Sequence, residues 1–266
     1  MTVNVPNGAD LSSYITQLKN GDILSLAAGG NYTTALTGLP NGYPDQYTTI
    51  EGNGATITGL ATAIDTTAGG LHYVQFNDIN LRHQTNLCIY IRANSTYLNF
   101  SNIDILVDNA TATLDATRLQ DASNITFDNC TVHDCDVNHD SFDGFEIFDN
   151  CQDITFQDCT VDTLVGGGTP AHHGFEVYAP LGGTASANIL FDNCSATGCD
   201  VGFSAEGGPD SLAHVEVVAD GCSGYSNNDY GYQGVNGSTL YRENVADGTN
   251  TGNGTAETNG TVTDRS

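Results

Sequence analysis

Asn124-Ile-Thr-Phe-Asp-Asn-Cys130, Asp153-Ile-Thr-Phe-Gln-Asp-Cys159 and Asn188-Ile-Leu-Phe-Asp-Asn-Cys194 are one short sentence written three times, with a looser fourth line at His214-Val-Glu-Val-Val-Ala-Asp-Gly-Cys222. A second refrain runs between them: Phe142-Asp-Gly-Phe145, His172-His-Gly-Phe175, Asp200-Val-Gly-Phe203 and Asp229-Tyr-Gly-Tyr232. Its glycines fall at 144, 174, 202 and 231, a period of 28 to 30 residues. A period of this length marks a solenoid, in which each repeat buries its apolar face only against its neighbours.

Working outward from those lines, Tyr73-Val-Gln-Phe76 and Tyr97-Leu-Asn-Phe100 precede them in register. Phe76, Phe100, Phe127, Phe156 and Phe191 are therefore expected to stack, with Val217 or Val218 next. After each phenylalanine comes a polar pair, such as Ser101-Asn102, Asp128-Asn129 or Asp192-Asn193. Asn and Asp tolerate the left-handed conformation of tight turns, so these pairs predict a ladder of turns between strands. Cys130, Cys159, Cys194 and Cys222 share a slot that Ile79 and Ile103 fill upstream and Val245 downstream. A place that accepts Ile, Cys and Val alike is a small buried apolar slot. Cys135 and Cys199 form a second register, opposite Leu164, and no further ligand recurs beside them, which argues against a zinc site.

Parallel strands repeating once per period, with turns and no helices between, predict an all-β chain folded as a right-handed parallel β-helix. Leucine-rich repeats would show a denser Leu signature, and propeller blades are longer. Residues 1–21 read as a strand (Thr2 to Val5) and a capping helix, with Asp10 as N-cap, Leu11, Ile15 and Leu18 on one face and Gly21 at its end. Residues 22–246 form the β-helix, its 33–50 stretch an elaborated loop. Residues 247–266 are a polar tail of Gly, Asn and Thr, to be held by a last thin coil or a neighbouring subunit.

Thirty-two acidic residues face six basic ones, a formal charge of −26. Such a field repels phosphate backbones and anionic membranes, which excludes nucleic acid as a partner. No apolar run reaches the roughly 18 residues of a membrane span, and no leader is visible after Met1. The Asp-rich, nearly Lys-free composition resembles that of proteins from extreme halophiles, where strong salt screens acidic self-repulsion.

Strand alternation sorts the faces of the second refrain. Phe145 and Ile147, Phe175 and Val177, and Phe203 and Ala205 point inward. One outward stripe then reads Tyr90, Arg118, Glu146, Glu176, Ser204, Gln233, and its neighbour Arg92, Gln120, Phe148, Tyr178, Glu206. Asp115, Asp143, His173 and Val201 precede them at the turn. This strip gathers two of the chain's five arginines with aromatics, carboxylates and a histidine. Glu146 and Glu176, one coil apart, are expected to share a proton or a cation, or to pair with Arg118. Exposed aromatics suit stacking on sugar rings, and carboxylate pairs suit glycosidic chemistry.

The fold this implies is similar to the pectate-lyase-like superfamily of β-helix proteins. Within it, Phe142-Asp-Gly-Phe145 and His173-Gly-Phe175 resemble the Asp-Gly-Phe and His-Gly-Phe elements of mannuronan C5-epimerase catalytic modules. The preceding coil, Thr113-Leu-Asp-Ala-Thr-Arg118, offers Asp115 but lacks the family's Tyr and His, and Gly166 to Ala171 is an insertion. The resemblance implies lyase- or epimerase-like chemistry on a uronate-containing polysaccharide. The expected catalytic residues are Asp143, His173, Glu146, Glu176, Arg118 and Tyr178. His173 or Tyr178 would take the C5 proton, while Arg118, or a cation such as Ca²⁺ held by Asp143, Glu146 and Glu176, neutralises the carboxylate. Tyr90, Arg92, Phe148, Glu206 and His172 are expected to bind substrate. The alternative chemistry is hydrolysis with Glu146 and Glu176 as acid and base. A reading from another class is a non-enzymatic virion surface protein (a tailspike, fibre or turret) that binds cell-surface glycans of a halophilic host. By resemblance it would be a homo-oligomer, a trimer above all, among virion neighbours. Either reading places the protein outside the cell or on a virion surface.

Overall fold

A computed structural model describes residues 1–66, 69–82, 84–106, 115–136, 142–165, 172–207, 215–225, 227, 229–244, 246–247, 255–258 and 261–265, with backbone alone at 134–136, 163–165, 225, 246–247 and 255–258. The chain is a parallel β-helix of about seven turns with almost no helix. One sheet has eight strands, each one turn after the last, from Ile64–Asp65 through Ile89–Ile91, Thr117–Leu119, Phe145–Phe148, His173–Tyr178, Val201–Glu206 and Tyr230–Val235 to Thr255–Thr258. The other wraps a corner. Its early strands Thr48–Thr58, His72–Arg82 and Thr96–Leu106 run unbroken, and later rungs divide, as in Ser123–Asp128 followed by Thr131–Asp136.

The corner is made by the polar pairs. Asn53, Asp78, Asn102, Asn129, Asp158 and Asn193 all hold φ between +51° and +54°. Their side chains link rung to rung: Asn129 Nδ2 donates to Asn102 Oδ1 at 2.6 Å, and Asn193 donates to Asp158. Asn and Asp occupy this conformation at little strain and bond locally while doing so.

Inside, the phenylalanines stack as the sequence predicts. Phe76–Phe100, Phe100–Phe127 and Phe127–Phe156 have centroids 4.8, 4.7 and 4.9 Å apart. Strand pairing puts Ala219 after Phe191, not Val217 or Val218. Ala219 stands three residues before Cys222, as Phe191 does before Cys194, so the register is unbroken, and Gly221, with a positive φ of 62°, supplies the corner that Asn193 supplies one rung earlier. A second column, Phe145, Phe175, Phe203 and Tyr232, descends from the eight-stranded sheet at 5.3, 5.0 and 5.3 Å and meets the first edge-on. Offset and edge-to-face pairs of this kind contribute about 0.5–1.5 kcal/mol each beyond burial. Cys130, Cys159, Cys194 and Cys222 are buried free thiols in one slot. Val245, the side chains of Cys135 and Leu164, and the Gly166–Ala171 insertion lie outside the described residues.

The N-terminal end differs from expectation. The capping helix is a single turn, Ser12–Ile15, and its N-cap position is Leu11. Asp10 Oδ1 instead accepts from the Ser12 amide and hydroxyl at 3.1 and 2.7 Å, a local turn rather than a helix cap. Leu11, Ile15 and Leu18 are nonetheless buried together, so the plug survives the loss of regular helix. At the other end, Thr255–Thr258 and Thr261–Asp264 pair with Tyr230–Val235 and Thr239–Glu243. The polar tail thus adds a last rung.

Candidate functional site

The site starts from the glycines of the second refrain, where the turn passes against the opposite wall. A Cβ on Gly144 would lie 2.7 Å from the Gly174 carbonyl oxygen and 2.9 Å from both Val161 methyls; one on Gly174 would lie 2.8 Å from the Gly202 carbonyl oxygen. Only glycine fits, and the tight passage holds the residue before each glycine, Asp143 or His173, at the sheet's leading edge. The register then aligns Arg118, Glu146, Glu176 and Ser204 on one stripe and Phe148, Tyr178 and Glu206 on the next.

The first stripe points away from the core but is not solvated. Asp115, Asp143, Glu146, His173, Glu176 and Ser204 are all less than 10% exposed, which corrects the expectation of an open face. Their neighbours cover them: Arg118 spans Asp115 and Glu146, and its guanidinium lies 4.8 Å from the Phe148 ring centroid. Phe148 and Tyr178 lie together, centroids 5.6 Å apart, at the half-exposed mouth beside Glu206.

Buried like charges one rung apart would be unstable, and the chain separates them onto different cations. Glu146 Oε2 takes the Arg118 Nε–H, and Arg118 also reaches Asp115 Oδ2 at 2.8 Å. Glu176 Oε1 instead lies 3.3 Å from His173 Nδ1. That ring nitrogen is also 2.9 Å from Asp143 Oδ1, which accepts the His173 backbone N–H at 2.9 Å. Asp115 Oδ1 accepts the Asp143 backbone N–H at 3.0 Å, joining the two halves.

The electrostatics follow from this network. Burial, reinforced by Asp143, Glu146 and Glu206, pushes Glu176 well above the usual carboxylate range. Burial and Asp115 do the same to Glu146 against the opposing charge of Arg118. Asp115 is raised by burial and by Asp143. Burial also pushes Asp143 upward, but the charge and hydrogen bonds of His173 outweigh it and hold this one carboxyl low. His173 in turn is raised: burial opposes its charge, and Asp143 overcomes it. The strip therefore sets carboxyls whose proton affinity is raised next to one whose affinity is lowered.

The remaining expected residues divide. Tyr178 and Glu206 border the cluster, both raised first by burial. Tyr90 donates to Gln120 Oε1 at 2.9 Å, and Arg92 lies over the Tyr90 ring while bonding Asp65 at 3.1 Å, so both belong to a flank one rung below. His172 is only 1% exposed; its Nδ1 accepts the Phe142 N–H at 3.1 Å, and its buried Nε2 has no hydrogen-bond partner among the described residues. Asp115, offered by the resemblance as a stand-in for a family aspartate, and Ser204 join the cluster without having been counted among the catalytic or binding residues. Their signal was the rung register, since each sits one coil from a residue that was.

Among the described residues, two trios bring ligand atoms within 4.8 Å of one another, Asp143–His173–Glu176 and Asp115–Asp143–Glu146. The set expected to hold Ca²⁺, Asp143, Glu146 and Glu176, is neither. Calcium takes six to eight oxygens, whereas here a guanidinium already occupies the place between Asp115 and Glu146, and an imidazole faces Asp143 and Glu176. The residues do not fit Ca²⁺, and no step below passes through a metal.

The parallel β-helix of this chain is similar in fold to several solved structures. Among solved structures, pectate lyase Pel9A matches with a TM-score of 0.65 at 13% identity, over 100% of this chain and 78% of that one. The catalytic unit of a GH87 alpha-1,3-glucanase from Streptomyces thermodiastaticus matches with a TM-score of 0.62 at 16% identity, over 94% of this chain. This chain spans about half of that unit, 48%. An alginate lyase from a Paenibacillus covers 97% of both chains at 13% identity with a TM-score of 0.49. No family model and no curated protein matches the sequence. At these identities the likeness is one of fold.

Proposed function

We propose that the protein is a carbohydrate-active β-helix that cleaves a polysaccharide lying across the Arg118–Glu206 strip, and that the cleavage is hydrolytic. One observation carries this reading: on the same buried strip, Asp143 and Glu176 both meet the His173 ring, at 2.9 and 3.3 Å, and this environment lowers the proton affinity of Asp143 while burial raises that of Glu176. Glycoside hydrolysis needs that division between an acid that protonates the leaving oxygen and a carboxylate that meets the sugar's developing charge. Glu176 is the general acid, Asp143 the carboxylate, and His173 the group that keeps Asp143 charged. Phe148 and Tyr178 supply a ring surface at the mouth. Ser204 Oγ, one rung beyond Glu176, is buried with no hydrogen-bond partner among the described residues, as expected of a group that completes its bonds with a ligand or water.

The electrostatics work against uronate elimination at this strip. A C5 proton must go to a base, but His173 and Tyr178 both hold their protons more tightly than usual. A substrate carboxylate would need a free cation, and Arg118 is engaged by Asp115 and Glu146. A neutral glycan avoids both difficulties. The test is incubation with α-1,3-glucan, polygalacturonate and alginate in molar salt. New reducing ends from the glucan, lost in Glu176→Gln and Asp143→Asn, are expected. Unsaturated, ultraviolet-absorbing products would overturn hydrolysis in favour of a lyase. Glycan retention without turnover would return the protein to the non-catalytic class of surface glycan binders.

A further inference from the structure

Past the end of the strip, three successive rungs line a polar cavity of about 230 Å³ that lies open to solvent. It is lined by Asn94 and Thr96 on the first rung, Asp121 and Ser123 on the second, and Asn150 and Gln152 on the third. The backbone stitches these rungs together: Ser123 N–H donates to the Ser95 carbonyl oxygen at 3.0 Å, and Gln152 N–H to that of Ala122 at 3.0 Å. Asn150 Nδ2 donates to Asp121 Oδ1 at 2.8 Å at an exposed edge of this lining. The lining is thus amides, hydroxyls and one carboxylate, with no cationic side chain.

One residue beyond the lining lies an aromatic stack that the core does not need. Tyr73 and Tyr97 are parallel, centroids 4.7 Å apart at 4°, and Tyr97 is 39% exposed. Both hold positive φ, +56° and +57°, in a row that continues as Asn124, Asp153 and Asn188. Asn and Asp are the expected occupants of that conformation, and a bulky tyrosine is an outlier there. Because the next rung offers Asn124, the stack ends at Tyr97, the residue that follows the lining Thr96. Strained outliers of this kind gather at binding sites.

We propose that this cavity, with Tyr97 at its edge, is a second glycan subsite that binds the same neutral polysaccharide beyond the point of cleavage. The inference rests on the reading of the Glu176 strip as a hydrolytic site. A concave site with a few convergent polar groups beside an aromatic wall is how sugars are held: paired acceptors and donors meet vicinal hydroxyls, and the apolar face of the ring meets the aromatic. Placement also fits. Glu146 and Asn150 share one rung, four residues apart and at most about 13 Å along the chain, so a short oligosaccharide leaving the strip past Phe148 reaches the cavity.

The experiment uses glycine, which accepts the positive φ of Asp121 and Asn150 and removes only the side chains. Asp121→Gly/Asn150→Gly and Tyr97→Gly are compared with the wild type on long-chain α-1,3-glucan and on nigerose-type oligosaccharides of two to three sugars, with thermal melts to confirm folding. The expected result is a rise in KM for the long chain of about five- to tenfold with kcat unchanged, and no change on the short substrates. Unchanged kinetics on the long chain in both folded variants would overturn the subsite and leave the hydrolytic reading standing. If the wild type does not turn over, migration in native gels containing the glucan decides. Retardation of the wild type that both variants lose supports the subsite; equal migration of all three, retarded or not, overturns it.

Discussion

The interior phenylalanine column and the outer carboxylate strip are built by one device, identical side chains set one rung above another, and they behave oppositely. Inside, repetition is favourable. Each ring lies flat on the next at 4.7 to 4.9 Å from Phe76 to Phe156, and every addition buries more apolar surface. Outside, repetition of Glu146 and Glu176 brings like charges together under burial, and the chain answers by alternating their partners, Arg118 for one and His173 for the other. A solenoid can extend an apolar column without limit. It can carry a charged one only by breaking its own periodicity, and that break is where chemistry becomes available.

The contrast is broken most heavily from the inside. Phe156→Ala removes the ring shared by both aromatic columns. It is expected to lower stability by about 3–5 kcal/mol, measured by chemical denaturation, while any surviving folded protein keeps an unchanged KM.

Outside, the largest effect should come from Arg118→Met, which strands Asp115 and Glu146 without their cation. A loss of about 3 kcal/mol at neutral pH is expected. The loss should shrink in acid, where both carboxyls are protonated and need no partner. Equal destabilisation at both pH values would mean that Arg118 acts through packing on Phe148 alone.

Glu176→Gln sharpens the comparison through pH. Glu176 binds its proton more tightly folded than unfolded, so its contribution is complete below the ordinary carboxyl range, about 4.3. It is lost as pH rises through the raised folded value. His173 is raised too and acts in the same direction. Asp143, held low, contributes above the ordinary Asp range and loses that contribution as pH falls through its depressed value. The variant is therefore expected to melt higher than the wild type at alkaline pH and alike near pH 4, with a flatter melting profile between. Turnover should fall about 10²–10⁴-fold, and wild-type activity should decline as pH rises and Glu176 ionises. Parallel melting profiles would show that Glu176 is not the group holding the proton.

The smallest effect belongs to the cysteine column. Cys159→Val should change stability by less than about 1.5 kcal/mol, because Ile79 and Ile103 occupy the same slot on earlier rungs. A larger loss, or a loss of turnover, would give the thiols a role beyond filling space.

Much of this molecule is readable without coordinates because its core obeys two short-range rules. Alternation decides which side chain faces in, and the period decides which residues share a column. The Phe76–Phe191 stack, the Asn and Asp corners and the order Arg118, Glu146, Glu176, Ser204 all follow from these rules, since a parallel ladder turns sequence spacing into vertical neighbours. Where the line loosens its wording the reading slips: the spacing back from Cys222 puts Ala219, not Val217 or Val218, in the phenylalanine column. The capping helix slipped as well. Its apolar residues were legible, but regular helix over so few turns depends on packing that propensity does not encode.

What the tertiary structure alone decided is burial and partnership. An outward stripe reads as solvated by alternation, yet Asp143, Glu146, His173 and Glu176 are enclosed by Arg118, by the aromatics of the next stripe and by one another. Periodicity ranks neighbours by rung but says nothing of which way a long side chain leans. Glu146 leaning to Arg118, Glu176 leaning to His173, and His172 turning to the Phe142 amide are such choices. Proton affinity depends on distances of a few ångströms in a low-dielectric site. The sequence could therefore name the carboxylates of the strip, and only their three-dimensional contacts could separate the acids from the base.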